Sequence, residues 1–479
     1  MGADIAAVVL YFAAVGLLGY FGVKGVGSFA DYAVAGRSVG TWVLFATIAA
    51  TCIGGGCTTG FTGYGFSFGY IIAWAVAIFS VSYALVALFI APRMRETGFV
   101  TVSDLFGHAY GKSGRLLSSV IGFLWLIQGV GLQFLAGGRI LEVFFGVPLQ
   151  WATVLVAAVV ILYTTLGGML AVIYTDVIQF LVLAICVPLL TLRGLGAAGG
   201  WQAVAEKVPA SHFAVTSDWA APAALGLFLA LAFGETLVPS YSHRFYSAKT
   251  PQGARNATLL FAGVVCCYTF IVATNGLIGR ALLPADTVPD QVMATLIKML
   301  MPAGLRGLLA CGVIAAVMST ADSGMNAAAT IAGRDWAQKL LGVENDRQLL
   351  RVAKIVCLLI GLFGLASALW MQGIMKMLLF AYDLWAPTII VPLVLGLLWR
   401  RSGRPAASPY CGFWSMVAGL AGCFGWKRAG LETLLPGIFV GLVACLVVYL
   451  VVHALTYRMK PGNWFAPDWQ RESKTEIGG

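Results

Sequence analysis

The chain has 479 residues, of which 60% are hydrophobic and only 10% are charged. A soluble globular domain carries about 25% charged residues, so this composition cannot cover the surface of a water-soluble globule. It excludes a cytosolic enzyme, a disordered protein and a nucleic-acid-binding protein. Because the hydrophobic residues occur in long blocks, the sequence predicts an integral protein of the lipid bilayer.

The net charge of +10 is predicted to belong to the segments between these blocks. Basic residues concentrate on the cytoplasmic side of membrane proteins. If the N-terminus lies outside, the inward-facing segments hold 21 of the 30 Lys and Arg residues; these segments are 24–39, 92–115, 243–256, 334–354, 400–407 and 456–479. The count predicts an external N-terminus and a cytoplasmic C-terminus in a plasma membrane, such as the bacterial inner membrane.

Uncharged stretches of the chain are long enough to cross a bilayer many times. Between Arg37 and Arg93 there is no Asp, Glu, Lys or Arg across 55 residues, and one crossing helix needs about 20. Helices are expected because an open strand would leave backbone groups unpaired in hydrocarbon. We predict about thirteen spans: 4–24, 40–67, 70–91, 115–139, 149–168, 174–195, 223–242, 257–281, 305–333, 355–372, 377–399, 408–425 and 433–455.

Two longer and partly polar segments, 197–222 and 282–304, separate these spans. The second ends in an amphipathic run from Val292 to Met301. Each segment is predicted to be either a short interfacial helix or a lid. No soluble domain fits between the spans, so residues 1–479 are predicted to form a single membrane domain.

A stripe of polar side chains lies within the predicted span 305–333. Ala316, Ser319, Thr320 and Ser323 share one helical face by their spacing, and Asp322 adds a carboxylate beside them. Hard oxygen ligands of this kind suit Na⁺. The alternative is that the hydroxyls bond to their own helix carbonyls and join neighbouring helices. The added carboxylate favours an ion site, because acids within spans are usually functional.

Two spans carry signals that interrupt a helix. Gly54, Gly55 and Gly56 are consecutive, and each costs a helix about 1 kcal/mol relative to alanine. Gly234, Glu235 and Pro239 interrupt a second span, five spans later. Broken helices near the bilayer centre are where transporters bind solute and coupling ion, and their separation fits two inverted five-helix repeats. The alternative at the first position is close helix packing through Gly56 and Gly60.

Several segments together resemble the sodium/solute symporter family, a branch of the leucine-transporter-like fold. The resemblance covers nearly the whole chain, in order. It rests on Asp31–Arg37, the glycine-rich break, Tyr163–Gly168 continuing to Tyr174–Gln179, His243-Arg244 with Ser247-Ala248-Lys249, and Ser319–Ser323.

The resemblance implies an all-α polytopic architecture in which extra helices flank a repeated core. The leading helix would be 4–24, and the core of two inverted five-helix repeats would be 40–399. Two further helices would occupy 408–455, and 456–479 would form a cytoplasmic tail.

The resemblance also implies ion sites at specific residues. In the main sodium site, Ala50 and Ile53 at the first break and Ala316 on the eighth core helix would supply carbonyl oxygens. Ser319 and Thr320 would supply hydroxyls. Some members bind a second cation near the acid that corresponds to Asp176, and Asp322 and Ser323 would be its partners here. The family often has serine at the position of Asp322, so this acid would strengthen a second cation site or bind a proton.

The solute is then expected beside both breaks. The implied solute-binding residues are Gly54, Gly55, Gly56 and Cys57 at the first break, Glu235 and Thr236 at the second, and Tyr64, Phe66, Tyr382 and Trp385 as aromatic walls. The family usually has an aromatic residue near position 235. Glutamate there indicates an amine or hydroxyl-bearing ligand, or proton coupling; the alternative is a structurally paired carboxylate.

The function implied is sodium-coupled symport of a small organic solute by alternating access. The alternatives are a proton-coupled symporter of the same fold and a solute sensor that does not transport. The partners expected are the solute, Na⁺ and lipid, with no nucleic acid, and a monomer suffices. No enzyme motif is present, and the ten cysteines lack metal-ligand spacing, so no cofactor other than the coupling ion is expected.

Overall fold

The computed structural model describes Leu10 and residues 33–401 and 404–468. The predicted leading span 4–24, apart from Leu10, lies outside the described residues. So do the motif residues Asp31 and Tyr32 and the end of the predicted tail, 469–479.

The described chain is almost entirely helical. Its helices are α1 Thr41–Cys52, α2 Phe61–Phe68, α3 Ile71–Leu85, α4 Ala91–Glu96, α5 Val102–Phe145, α6 Leu149–Ala198, α7 Trp201–Lys207, α8 Ala221–Gly234, α9 Pro239–Ser247, α10 Pro251–Leu282, α11 Val292–Leu300, α12 Leu305–Ile331, α13 Asp346–Met371, α14 Ile374–Leu398, α15 Tyr410–Arg428 and α16 Gly437–Thr456. Single turns of 3₁₀ helix occupy Ala35–Arg37, Ala210–Phe213, Pro289–Gln291 and Leu431–Thr433, and π-helical turns occupy Gly56–Gly60, Val86–Ile90 and Ala332–Leu340. Strands β1 Arg400–Arg401 and β2 Arg404–Pro405 pair antiparallel.

Within the described residues, nine helical segments are long and apolar enough to cross a membrane. A tenth is counted if α1 and the segment Gly56–Phe68, which bend by 56° at the first break, form one span. The predicted number of thirteen is therefore not confirmed. The predicted span 408–425 does form a helix, α15, but its glycines and the basic pair Lys427-Arg428 make it less apolar than the counted spans.

The predicted spans 149–168 and 174–195 both lie within α6, Leu149–Ala198.

The second predicted interruption is present between α8 and α9. Glu235 closes α8, Leu237 adopts a left-handed φ of 60°, and Pro239 begins α9. Proline suits a first helical position because the missing N–H would have had no helical acceptor there. All nine residues of α9 are buried, so this half-helix lies inside the protein.

The buried centre of the molecule is α12, which packs against α1, α5, α6 and α9. In its most apolar window 83% of residues are buried, against 22% for α16 at the periphery. Large apolar side chains are exposed around the outside, among them Leu162, Ile185, Leu192, Trp370 and Leu455. A soluble protein would not expose this much apolar surface, so these faces contact lipid.

The two longer polar segments contain short helices. Segment 197–222 holds α7 and the turn Ala210–Phe213, and segment 282–304 holds the turn Pro289–Gln291 and α11. The Pro289–Gln291 turn lies against the end of the first broken span, since a Cβ on Gly63 would be 2.5 Å from the Pro289 carbonyl oxygen. Asp290 accepts a hydrogen bond of 3.3 Å from the Ile374 N–H at the start of α14, and burial raises the pKa of this carboxyl. This segment therefore covers one end of the broken span.

Candidate ion and solute site

The first break opens the backbone of α1 at Ile53, whose ψ is 49°. Within the described residues, Gly54 N–H makes no backbone hydrogen bond to the Ala50 carbonyl, and Gly55 N–H instead donates to Gln133 Oε1 at 2.7 Å. The Ala50 carbonyl therefore leaves the regular helical ladder, and Ile53 is the residue at which the helix ends. Freed carbonyls at membrane depth must face protein, water or an ion.

Thr320 on α12 joins this break to the central helix. Its Oγ1 lies 3.1 Å from the Thr51 carbonyl oxygen and 3.0 Å from the Ala316 carbonyl oxygen, so the hydroxyl lies between the two elements. A Cβ on Gly54 would be 2.3 Å from the same Oγ1, so glycine is required for this close approach. The structure thus brings together Thr320, Ala316 and the break.

Ser319, the next residue, faces a different partner. Its hydroxyl donates to Asp176 Oδ1 on α6 at 2.6 Å, and the Thr47 hydroxyl of α1 donates to Asp176 Oδ2. A hydroxyl that donates its proton keeps lone pairs for a cation. Ser319 therefore links the predicted sodium ligands to the predicted second cation site.

Arg244 of α9 occupies the space between Asp176 and Ser323. Its Nη2 is 3.0 Å from Asp176 Oδ2 and 2.7 Å from Ser323 Oγ, and its Nε is 3.0 Å from Thr47 Oγ1. The side chains of Arg244 and Asp176 are 1% and 0% exposed. We call Thr47, Asp176, Arg244, Ser319 and Ser323 the Asp176–Arg244 cluster. Asp322 was the other predicted partner of Asp176. It is buried on α12, the helix that carries Ser319 and Ser323.

The second break presents Glu235 to the centre of the protein. Tyr241 and Tyr382 donate to its two carboxylate oxygens, each at 2.7 Å. The Thr236 carbonyl accepts from Trp385 Nε1 at 2.9 Å, and the Thr236 hydroxyl donates to the Ala232 carbonyl of α8. The predicted residues Glu235, Thr236, Tyr382 and Trp385 are therefore in contact.

A cavity of about 30 Å³ lies between the two breaks. Its polar lining includes Thr51, Gln133, Glu235, Tyr241 and Thr320. Solute pockets usually measure about 300 Å³ or more, whereas about 30 Å³ is the share of one liquid water molecule. In this conformation the centre is contracted to the size of water, and a solute requires its lining to move apart.

The remaining predicted solute residues are not part of the cavity lining. Gly56 faces the apolar side chains of Leu132 and Leu378, and Cys57 Sγ lies 4.0 Å from Thr269 on α10. Tyr64 packs against the rings of Phe68 and Trp219, with centroids 5.0 and 6.1 Å apart. Phe66 lies under the Arg280 guanidinium at 5.4 Å. Gly56 therefore lies directly behind Leu132 and Leu378 of the cavity lining, whereas Tyr64 and Phe66 lie away from the centre.

Several residues that the sequence analysis did not assign line or support the site, among them Thr47, Thr51, Trp125, Gln133, Tyr241 and Arg244. Gln133 gave a signal, since it is a polar side chain in the uncharged stretch between Arg115 and Arg139. Gln128 lies in the same stretch, however, and bonds Ser367 instead. Only the fold distinguishes the two.

The contact of Gln133 with the break gives a direct prediction. Gln133→Leu leaves the Gly55 N–H without its acceptor, which costs about 1–3 kcal/mol for a buried donor. We expect a lower melting temperature and a large loss of transport. Gln128→Leu is the control, because its partner Ser367 keeps Met371 Sδ as a second contact at 3.9 Å. Equal losses of melting temperature and transport in the two variants would contradict the role of Gln133.

The chain is similar to known membrane transporters. A model described as the sodium:solute symporter family matches residues 32–419. The sodium/pantothenate symporter of Haemophilus influenzae is 26% identical, over 87% of this chain and 89% of that protein. The sodium/mannose cotransporter of Bos taurus is 28% identical, over 85% of this chain and 74% of that protein. The solved structure of a Na⁺-coupled sialic acid symporter matches with a TM-score of 0.82 at 20% identity, covering 95% of this chain and 98% of that chain.

These findings confirm the predicted fold class, an all-helical membrane protein of the leucine-transporter-like fold. The family and these relatives are transporters, and no enzymatic family is indicated. The chain belongs to the sodium:solute symporter family, and it is an integral membrane protein that couples the transport of a small organic solute to sodium.

Proposed function

We propose that the coupling sodium ion binds where the first break meets α12. The carbonyl oxygens of Ala50, Ile53 and Ala316 and the hydroxyls of Ser319 and Thr320 would hold it. The observation that carries this proposal is the Thr320 hydroxyl, which lies within 3.1 Å of both the Thr51 and Ala316 carbonyl oxygens. Carbonyl and hydroxyl oxygens are the hard ligands that Na⁺ prefers.

An ion at this position would join two elements that can otherwise separate. It would replace single hydrogen bonds between α1 and α12 with several ion–oxygen contacts. A ligand shifts a conformational equilibrium by its difference in affinity for the two states. Sodium would therefore favour the conformation in which the first break lies against α12.

We propose that the coupling sodium binds at the first break and not beside Asp176. The notion of a second cation at Asp176, Asp322 and Ser323 meets an obstacle, because Arg244 already supplies a positive charge to Asp176 and Ser323. A second cation would have to displace this buried guanidinium. Breaking a buried ion pair is costly, so the resident arginine has the advantage.

The solute is proposed to bind between the breaks, beside Gly54, Gly55, Glu235, Thr236 and Tyr382. Two of the similar proteins are named for pantothenate and mannose, a carboxylate and a neutral sugar. Because one of these solutes is charged and the other is neutral, the names of the relatives do not indicate which solute this chain carries. The lining residues must supply that information.

We further propose one membrane domain with a repeated core at 40–399, acting as a monomer in a plasma membrane of bacterial type. The N-terminus would lie outside and the C-terminus in the cytoplasm. The concentration of 21 of the 30 basic residues in the inward-facing segments supports this orientation.

The sodium proposal is tested by ion-dependent stability of the purified protein. A ligand that binds the native state raises the melting temperature. We expect NaCl, but not KCl at equal ionic strength, to raise it. The double variant Ser319→Ala/Thr320→Ala should weaken the apparent sodium affinity at least about tenfold, because each lost ion–oxygen contact is worth on the order of 1 kcal/mol or more.

The control for this variant is Thr330→Ala. It removes a hydroxyl from the same helix, α12, but this hydroxyl bonds Asn326 and does not reach the first break. Uptake into proteoliposomes then separates the alternatives. A sodium gradient should drive uptake and a pH gradient alone should not. The proposal would be refuted if sodium still stabilised the double variant, or if a proton gradient alone drove uptake of the solute. Binding of a solute without its uptake would favour a sensor.

A further inference from the structure

Glu235 brings a carboxyl group to the central cavity, and its hydrogen-bond partners there are neutral groups. Its hydrogen-bond partners are the hydroxyls of Tyr241 and Tyr382. Among the described side chains, none of the Lys, Arg or His residues forms an ion pair with it. A carboxylate offers about four acceptor positions, so capacity remains after two phenols. An ionised carboxylate at this depth is costly, and a cation beside it would offset that cost.

Two aromatic side chains, Trp125 and Tyr241, line the same cavity as Glu235. The Tyr382 hydroxyl also reaches the carboxylate, and the Trp385 ring lies beside Trp125, with ring centroids 6.4 Å apart. Aromatic faces attract organic cations, most strongly where water is excluded. A carboxylate that shares a cavity with aromatic rings is therefore suited to an ammonium group.

Trp125 adds a second requirement. Its indole lines the cavity and is 7% exposed, yet its Nε1 has no hydrogen-bond partner among the described residues. Buried polar groups are nearly always paired, and an indole N–H can only donate. A ligand that fills the cavity can therefore satisfy Trp125 if it carries an oxygen acceptor.

We propose that the solute is an organic ammonium compound that also bears an oxygen acceptor. Glu235 and the rings of Trp125 and Tyr241 bind its ammonium group, and Trp125 Nε1 donates to its oxygen. This inference rests on the proposed function, since it places the solute between the two breaks. The cavity must expand from its present volume to admit such a compound. A neutral solute would leave Glu235 uncompensated when the site closes, so the same charge rejects it.

The test compares matched pairs of compounds on the purified protein in NaCl. Choline is compared with its neutral isostere, in which a quaternary carbon replaces the nitrogen, and ethanolamine is compared with propanol. We expect at least one ammonium compound to raise the melting temperature in a saturable way and its neutral counterpart to have no effect. An equal shift from both members of each pair, or no shift from any ammonium compound, would overturn the proposal.

Two variants assign the effect to this site. Glu235→Gln keeps the size of the side chain and should lower the apparent affinity for the ammonium compound at least about tenfold, as expected for loss of a charged partner. Trp125→Phe keeps a ring and removes the donor, and should weaken binding several-fold. Glu142→Gln is the control, because Glu142 pairs with Arg139 and Gln291 away from the cavity. An unchanged affinity in Glu235→Gln would overturn the assignment.

The sodium titration without solute is read separately in the same experiment. If Na⁺ stabilises the protein and loses its effect in Ser319→Ala/Thr320→Ala while the neutral isosteres bind as well as the cations, the ion site stands and the ammonium proposal fails. If the ammonium compounds bind selectively but Na⁺ has no effect, the solute assignment stands and sodium at the first break fails.

Discussion

Gly54→Ala is expected to abolish sodium-dependent transport. A Cβ at this position would lie 2.3 Å from Thr320 Oγ1 and 2.9 Å from Gln133 Oε1. Both distances are too short, so one or both side chains must move. The Thr320 hydroxyl would then leave the Thr51 and Ala316 carbonyl oxygens that it now joins. The proposed ion site would lose its central ligand.

Gly56→Ala is the matched control, because it lies in the same glycine triplet. Its Cβ would meet Leu132 and Leu378 at 3.6 Å, an ordinary van der Waals contact. Both changes raise the helix propensity of the break by about 1 kcal/mol, so a difference between them isolates the close approach. We expect Gly56→Ala to keep uptake near that of the unmodified protein.

The measurements are sodium-driven uptake and the sodium dependence of the melting temperature. Gly54→Ala should weaken the apparent sodium affinity at least about tenfold, roughly 1.4 kcal/mol. A variant that folds but does not respond to sodium would match the expectation. Retained sodium-driven uptake in Gly54→Ala, or equal loss in Gly56→Ala, would contradict it.

Asp176→Asn is expected to destabilise the protein severely. Asp176 and Arg244 are almost completely buried, and the arginine would remain as an uncompensated charge. Removing one partner of a buried ion pair costs about 3–5 kcal/mol. Because the Asp176–Arg244 cluster joins α1, α6, α9 and α12, we expect both a much lower melting temperature and loss of transport.

Asp383, another acid within a predicted span, provides the control. Asp383 on α14 pairs with Lys427 at 2.5 Å, but the lysine is 30% exposed. Water can therefore compensate the charge left in Asp383→Asn, and we expect a clearly smaller fall in melting temperature. The double variant Asp176→Asn/Arg244→Gln removes both charges and should recover part of the loss. Strictly additive effects of the two changes would contradict a direct pair.

Much of this fold can be predicted from the sequence because its signals are local. Long uncharged stretches indicate helices at the observed positions of α3, α10 and α14, since about 20 apolar residues suffice to span a bilayer. The glycine triplet and the Gly234–Pro239 interruption correspond to real breaks.

The assignment of partners across the chain depends on the tertiary structure. Gln133 is 78 residues from Gly55, Arg244 is 68 residues from Asp176, and Thr320 is 269 residues from Thr51. Helical spacing places a side chain on a face, but does not say which helix that face meets. For this reason the sequence predicted a cation beside Asp176, while the structure shows Arg244 there.

By itself, the sequence determined that this protein is embedded in the membrane, that two of its spans are broken, and that another span carries a stripe of hydroxyl side chains. These properties follow from composition and from residues within one or two helical turns. Only the tertiary structure decided that Tyr64 and Phe66 face away from the centre, that Trp125 and Gln133 face it, and that Glu235 is held by two tyrosines. Such contacts arise from the packing of distant helices, which determines the environment of each buried polar group.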